Sequence, residues 1–236
     1  MTRTRSKTVF LWSGGKDSAL ALYRLLQDDR YEVVSLLTTV DPDSERSSMH
    51  DIPLRLLQRQ ADRIGLPLQL FDMPTRNGMA DYDAVMRRAV QHFQTQGVTH
   101  FAFGDLCLYD VKSYRQQKLA PYGIEVLEPL WELSSAQVME AFLASGLQTV
   151  IVTTKADLLD ASYIGRTIDA PLIASLPAGC DPCGEQGEYH TFCYAGDLFR
   201  EPIPFTLEGP QLITKPFKMS DGQLHEFTYW SARLKP

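Results

Sequence analysis

Short apolar runs alternate along the first half of the chain with stretches in which apolar residues recur every three or four positions. The runs are Val9 to Trp12, Tyr31 to Thr39, Leu66 to Phe71, His100 to Phe103 and Ile124 to Leu127. Each reads as a buried strand. Between them, Ala19 to Leu26, Leu54 to Ile64, Asn77 to Gln96 and Tyr114 to Tyr122 read as helices, with Gly65 and Gly97 as stop signals. Strand-helix alternation of this kind predicts an α/β fold, a doubly wound parallel sheet with right-handed crossovers. Such sheets bind ligands beyond the carboxyl ends of their strands.

The second half follows a different pattern. Ser134 to Ser145 reads as a helix with Ser134 as N-cap and Gly146 as stop, and Thr149 to Thr153 as a strand. Asp157 to Tyr163 reads as a short helix, and Leu172 to Leu176 stays ambiguous. The tail carries strand-like pieces at 204–207 and 226–230, with Asp221-Gly222 as a hairpin signal. Neither a repeat nor a low-complexity linker interrupts the chain. The change of pattern divides it into residues 1–130, an α/β domain, and 131–236, a second, smaller α+β domain.

Composition narrows the class. The 236 residues are 44% hydrophobic and 22% charged, as in a soluble globular protein, with a net charge of −6. That balance disfavours general affinity for nucleic acid. No apolar run approaches the roughly 20 residues of a membrane span, and no signal peptide is visible, so the expected compartment is cytoplasmic. Four cysteines, three of them crowded into 180–193, make no disulfide framework.

The first candidate site is Ser13-Gly14-Gly15-Lys16-Asp17-Ser18, between the first strand and the first helix. Paired glycines at a helix start form a phosphate cradle, where backbone amides and the helix dipole favour anions. Lys16, read as lying on an exposed loop, adds a point charge, and Ser13 and Ser18 add hydroxyls. Asp17 is odd beside phosphates and implies a Mg²⁺ ion escorting them. Neither G-x-x-x-x-G-K-[ST] nor G-x-G-x-x-G fits the spacing. Thr38 and Thr39, at the end of the second strand, are placed at the adenosine end of a nucleotide, with a plain strand end as the equal alternative. Gly104 and Asp105 form another candidate edge, the glycine for backbone approach and the aspartate for a ribose hydroxyl or Mg²⁺, against a plain turn as the competing reading.

The second constellation is Gly179 to Phe192, a glycine-bent segment carrying Asp181, Glu185, Glu188 and His190. Titratable groups concentrated on a constrained loop point to binding or catalysis. Glu188 and His190 would share one face if extended, with Tyr189 on the other. Cys180, Cys183, Cys193 and His190 offer zinc-ligand chemistry, but Pro182 inside the C-x-x-C and the later spacing fit no zinc module. Cys183 as a nucleophile with His190 as its base is a further alternative, against a plain structural cysteine.

The 13–18 stretch resembles the S-G-G-x-D-S loop of the N-type ATP pyrophosphatases, which split ATP between the α and β phosphates. Taken with S-M-H (48–50), F-G-D (103–105), P-L-W (129–131) and D-P-C-G-E-Q-G-E-Y-H-T-F (181–192), the chain resembles the diphthine–ammonia ligase family, and in length its shorter bacterial group. The resemblance implies a HUP-type ATP-binding domain followed by a smaller domain. It also implies adenylation of a carboxylate and amide formation, with ATP and Mg²⁺ as cofactors. The acceptor is left open between a protein side chain and a small molecule, with ammonia as the nitrogen source and a homodimer among the options. The family's usual glycine-proline pair after H-T-F is replaced by Gly196-Asp197, a change confined to a turn.

In this reading Gly14, Gly15, Lys16 and Ser18 hold the leaving pyrophosphate, Asp17 orients the metal, and Glu185, Glu188 and His190 line the acceptor side. The two loops should then face one another across one cleft, on the order of 10 Å apart. Two rivals remain: another adenylating or tRNA-modifying enzyme of the same loop superfamily, and a sensor that holds ATP or AMP without turnover.

Overall fold

The computed structural model describes residues 4–48, 50–73, 79–218 and 224–236. Met49 of the S-M-H stretch, the start of the Asn77 to Gln96 pattern and the Asp221-Gly222 hairpin signal lie outside them. In the first half, β1 (Ser6–Leu11), α1 (Lys16–Leu26), β2 (Tyr31–Asp41), β3 (Arg46–Ser47), α2 (Leu54–Ile64), β4 (Leu68–Asp72), α3 (Met79–Gln94), β5 (His100–Ala102), α4 (Tyr109–Leu119) and β6 (Glu125–Leu127) follow in order. The parallel strands run β4-β2-β1-β5-β6, and β3 pairs antiparallel with the end of β2. The winding direction reverses between β1 and β5. Such a switch point opens a crevice at the strands' carboxyl ends, where β1 delivers Ser13 and β5 delivers Gly104.

Alternation along the strands sorts side chains to the two faces. Phe10, Leu36 and Ala102 enter a core built with α1 and α2, whereas Val9, Leu37 and Phe101 pack with α3 and α4. The second half supplies α5 (Ser135–Ala144), β7 (Gln148–Lys155), α6 (Ala170–Ala174), β8 (Tyr189–Ala195), β9 (Thr206–Leu207), β10 (Gln211–Lys218), β11 (Leu224–Ser231) and β12 (Leu234–Lys235). An antiparallel sheet runs β10-β11-β7-β8, and β12 pairs β9. Phe142 of α5, Ile151 of β7 and Phe192 of β8 join the same core as Phe10 and Leu20, so apolar packing is continuous from one half to the other. Among the described residues, no helix is long and apolar enough to cross a membrane.

Several boundaries differ from the expected ones. The fourth helix begins at Tyr109, not Tyr114, although its N-cap Leu108 provides no side-chain bond. Its first turn is held instead by Tyr109 packing edge-on against Trp131, with ring centroids 4.8 Å apart, a contact that periodicity does not reveal. Asp157 to Tyr163 is not a helix throughout: Asp160 accepts from the Ser162 amide at 2.8 Å and starts a 3-10 turn at Ala161–Tyr163. The ambiguous 172–176 run lies at the end of α6, started by Asp169 accepting from the Leu172 amide at 2.7 Å. Ser134 caps α5 as expected, in a capping box completed by Gln137.

Candidate active site

A cavity of about 350 Å³ opens at the switch point. Ser13, Gly15, Lys16, Asp17, Ser18, Thr38, Thr39, Gly104, Asp105, Glu185 and His190 all line it. Gly14 and Glu188 do not.

The glycines of the first loop serve two different neighbours. Gly14 has φ +82°, and a Cβ there would meet Gln60 Oε1 at 2.7 Å and Leu57 Cδ2 at 2.9 Å, so its lack of a side chain accommodates α2. Gly15 instead lies against strand β8, where a Cβ would stand 3.1 Å from the Thr191 carbonyl oxygen. Thr191 Oγ1 accepts from the Lys16 amide at 2.9 Å, which satisfies one of the unpaired donors at the start of α1 from the other half of the chain. The Cys193 amide donates to the Gly14 carbonyl at 2.9 Å. The two sequence motifs are therefore in direct contact.

Gln60 ties this arrangement together. Its Oε1 accepts from Trp12 Nε1 at 2.8 Å, and its Nε2 donates to the carbonyls of Gly14 and Cys193 at 3.0 and 2.6 Å. The side chain is 0% exposed and fully paired. Gln60 is not among the expected site residues; the signal for it in the sequence is a glutamine on the apolar stripe of α2, between Leu57 and Ala61. Thr38 plays a similar part: its hydroxyl donates to the Trp12 carbonyl at 2.6 Å and steadies the end of β1. Gly104 is needed for packing, because a Cβ would stand 2.9 Å from both the amide nitrogen and the Cα of Ser18. The backbone it admits is that of α1.

Lys16 is not on an exposed loop. It is the first residue of α1, 1% exposed, with its ammonium on the Asp17 carboxylate. Burial pulls its pKa down, but Asp17 and the other nearby acidic groups outweigh this and raise it above the ordinary value. The lysine therefore stays charged at the cavity wall. Ser13 Oγ donates to Ser18 Oγ at 2.9 Å, which in turn donates to the Gly15 carbonyl at 3.1 Å.

The second motif divides into residues that shape the loop and residues that face the cavity. Asp181 accepts from the Cys183 amide at 2.6 Å and from Ser135 Oγ at 2.7 Å. The Tyr189 hydroxyl donates to the Pro182 carbonyl. Glu188, expected to face the acceptor side beside His190, is 3% exposed and accepts from the amides of Asp181 at 3.1 Å and Gln186 at 2.9 Å. Its carboxylate braces the bend instead, because a loop with glycines at φ +69° (Gly184) and +84° (Gly187) turns its amides inward and they need an acceptor. Tyr189 joins His190 on the cavity wall, so the expected division of faces also fails.

Glu185 and His190 remain on the cavity side. Burial and the charges of Asp17 and Asp105 push the Glu185 pKa up to about 7. His190 meets His50 edge-on, with ring centroids 5.2 Å apart. Burial lowers the His50 pKa, against the opposing pull of Asp17 and Asp105, which favours a neutral ring. His50, Thr191 and Arg115, also on the wall, were absent from the expected site. The Cys183 thiol donates to the Ser135 carbonyl at 3.3 Å, and burial pushes its pKa up to about 12, which speaks against a nucleophile. Among the described residues, no three His, Cys, Asp or Glu side chains are arranged to cage a metal ion.

Known sequences carry related segments. Residues 6–120 match the diphthamide synthase N-terminal domain, and residues 134–212 match the diphthamide synthase C-terminal domain. The diphthine–ammonia ligase of Rattus norvegicus is 22% identical over 220 residues, covering 82% of this chain and 80% of the rat protein. That of Homo sapiens is 23% identical over 219 residues, with the same coverage.

Proposed function

Since the chain belongs to the diphthine–ammonia ligase family, we propose that it is an ATP-dependent amide-forming ligase that works by adenylation. The observation carrying this reading is that the 13–18 and 181–191 segments line a single cavity and touch through Lys16 and Thr191. Adenylation requires such a meeting, because the α-phosphate and the acceptor carboxylate must react in one water-excluding place. A carboxylate oxygen attacks the α-phosphorus, the bond to the bridging oxygen of the β-phosphate breaks, and pyrophosphate leaves. An amine then attacks the acyl carbon, loses a proton, and AMP departs.

Ser13, Gly15, Lys16 and Ser18 hold the departing pyrophosphate, and Lys16 neutralises it. Thr38 and Thr39 border the nucleoside end. Asp17 and Asp105 suit a magnesium ion that takes its other ligands from phosphate and water, since such an ion needs only one or two carboxylates. When bound, it would neutralise phosphate charge. Burial raises Glu185 first and the charges of Asp17 and Asp105 add to it, so three carboxyl groups crowd one wall, a setting that suits cations. Glu185 and His190 face the incoming amine, and Glu185 is poised to take its proton near neutral pH. The acceptor is a carboxylate on a protein side chain or a small molecule, and ammonia is the simplest amine.

Incubation with α-labelled ATP, Mg²⁺, ammonium and cell extract tests the reading. AMP and pyrophosphate should appear, and accumulation of ADP with orthophosphate would overturn adenylation. Intact ATP, bound but not split, would mark a sensor. Lys16→Met keeps the buried volume but removes the charge, and should lower pyrophosphate release about 100-fold with little change in Tm.

A further inference from the structure

Four charged side chains form a chain along the β5–β6 end of the cavity. Asp105 pairs with Nη1 of Arg115, which stands 3.7 Å from Oε1 of Glu128. Lys112 Nζ lies 3.3 Å from Oε2 of the same glutamate. Lys112 and Arg115 are three apart on α4 and so share a helix face, and Glu128 directly follows β6. Each cation also lies over an aromatic ring: Arg115 Cζ is 3.9 Å from the Phe103 centroid and Lys112 Nζ is 3.6 Å from that of Trp131.

Glu128 is the unusual member. Its side chain is 0% exposed, yet among the described residues neither oxygen makes a hydrogen bond, and Arg115 Nε lacks one as well. A buried carboxylate held only by ion pairs contributes little to stability, since desolvation offsets the attraction. An unsatisfied buried group of this kind needs another explanation. Position supplies it: Arg115 lines the cavity and carries Asp105 on its outer nitrogen.

We propose that Glu128 is a positioning residue, which fixes the Arg115 guanidinium on Phe103 and through it holds the Asp105 carboxylate at the cavity wall. Its catalytic consequence rests on the ligase reading above; the clamp itself does not. Asp105 and Tyr82 also hold Arg115, from the cavity side; Glu128 closes the opposite side, so without it the guanidinium shifts off the Phe103 ring and carries Asp105 with it.

Nitrogen-15 NMR of the arginine Nε–Hε groups tests the clamp, with Arg115 assigned by loss of its signal in Arg115→Lys. The wild-type signal should be shifted upfield by the Phe103 ring and protected from exchange. Glu128→Gln should speed that exchange and erase the ring shift. It should also lower kcat about 10- to 100-fold, as misplaced groups do, and weaken the dependence of the rate on Mg²⁺ concentration, with partial rescue of both by Glu128→Asp. An unchanged Arg115 signal, or an unchanged kcat, overturns the proposal. If the wild-type chain splits no ATP, the ligase reading fails and the NMR result alone decides whether Glu128 holds Arg115. Should Glu128→Gln fail to fold, Phe103→Leu must lose the ring shift but keep the exchange protection; loss of both overturns the clamp.

Discussion

Two glutamates three positions apart show how burial assigns work to like residues. Glu185 faces the cavity with a pKa raised to about 7, whereas Glu188 turns under the loop to accept two amides. Glu185 is protonated below about 7 and able to accept a proton above it, so the rate of amide formation should rise with pH through an inflection near 7. Glu185→Gln should remove that inflection, and an identical profile in the variant would refute the assignment. The sign for stability is opposite. The folded state holds the Glu185 proton more tightly than the unfolded one, so its contribution is full below the unfolded value and is lost as pH rises towards 7. Glu188→Gln turns one acceptor oxygen into a donor facing an amide, and should cost about 1–3 kcal/mol in urea unfolding. An unchanged unfolding midpoint would show that the brace is dispensable.

At the scale of elements, the first turn of α1 is the part most closely fitted by its neighbours. It is met by β8 at Gly15 and Lys16 and by the end of β5 at Gly104. Gly104→Ala would set a methyl group 2.9 Å from the backbone of Ser18, which cannot swing aside as a flexible side chain would. The helix start must move away from β5, so ATP affinity should fall about 10-fold or more, beyond what any loss of Tm explains. Titration calorimetry on the folded variant measures this, and wild-type affinity would show that the turn tolerates displacement.

Across the whole molecule, the two halves share one core and one cavity. Phe10, Leu20 and Leu22 pack in the same cluster as Phe142, Ile151, Phe192 and Leu234. The 13–18 loop is hydrogen-bonded to Thr191 and Cys193 of β8. A fragment of residues 1–130 would expose that apolar face and leave the loop without its far wall. It should lack a cooperative melt by calorimetry; a fragment that melts sharply and binds ATP like the full chain would contradict this coupling.

The sequence by itself determined what depends on local pattern. Apolar periodicity placed β1, α1, β2 and α2, Gly65 closed α2 in the left-handed conformation, and Ser134 marked the start of α5. These features follow from backbone geometry and neighbours a few residues away. Only the tertiary structure decided which residues of a motif point where. Nothing local distinguishes Glu185 from Glu188, or shows that Gly14 makes room for Gln60 and Gly104 for α1. Nor does spacing reveal that Tyr109 starts a helix against Trp131, or that Arg115 and Glu128 meet behind Asp105. Burial, desolvation and pairing are properties of segments brought together from distant parts of the chain, so the direction and charge state of these side chains exist only once the sheet, its helices and strand β8 have packed around one cavity.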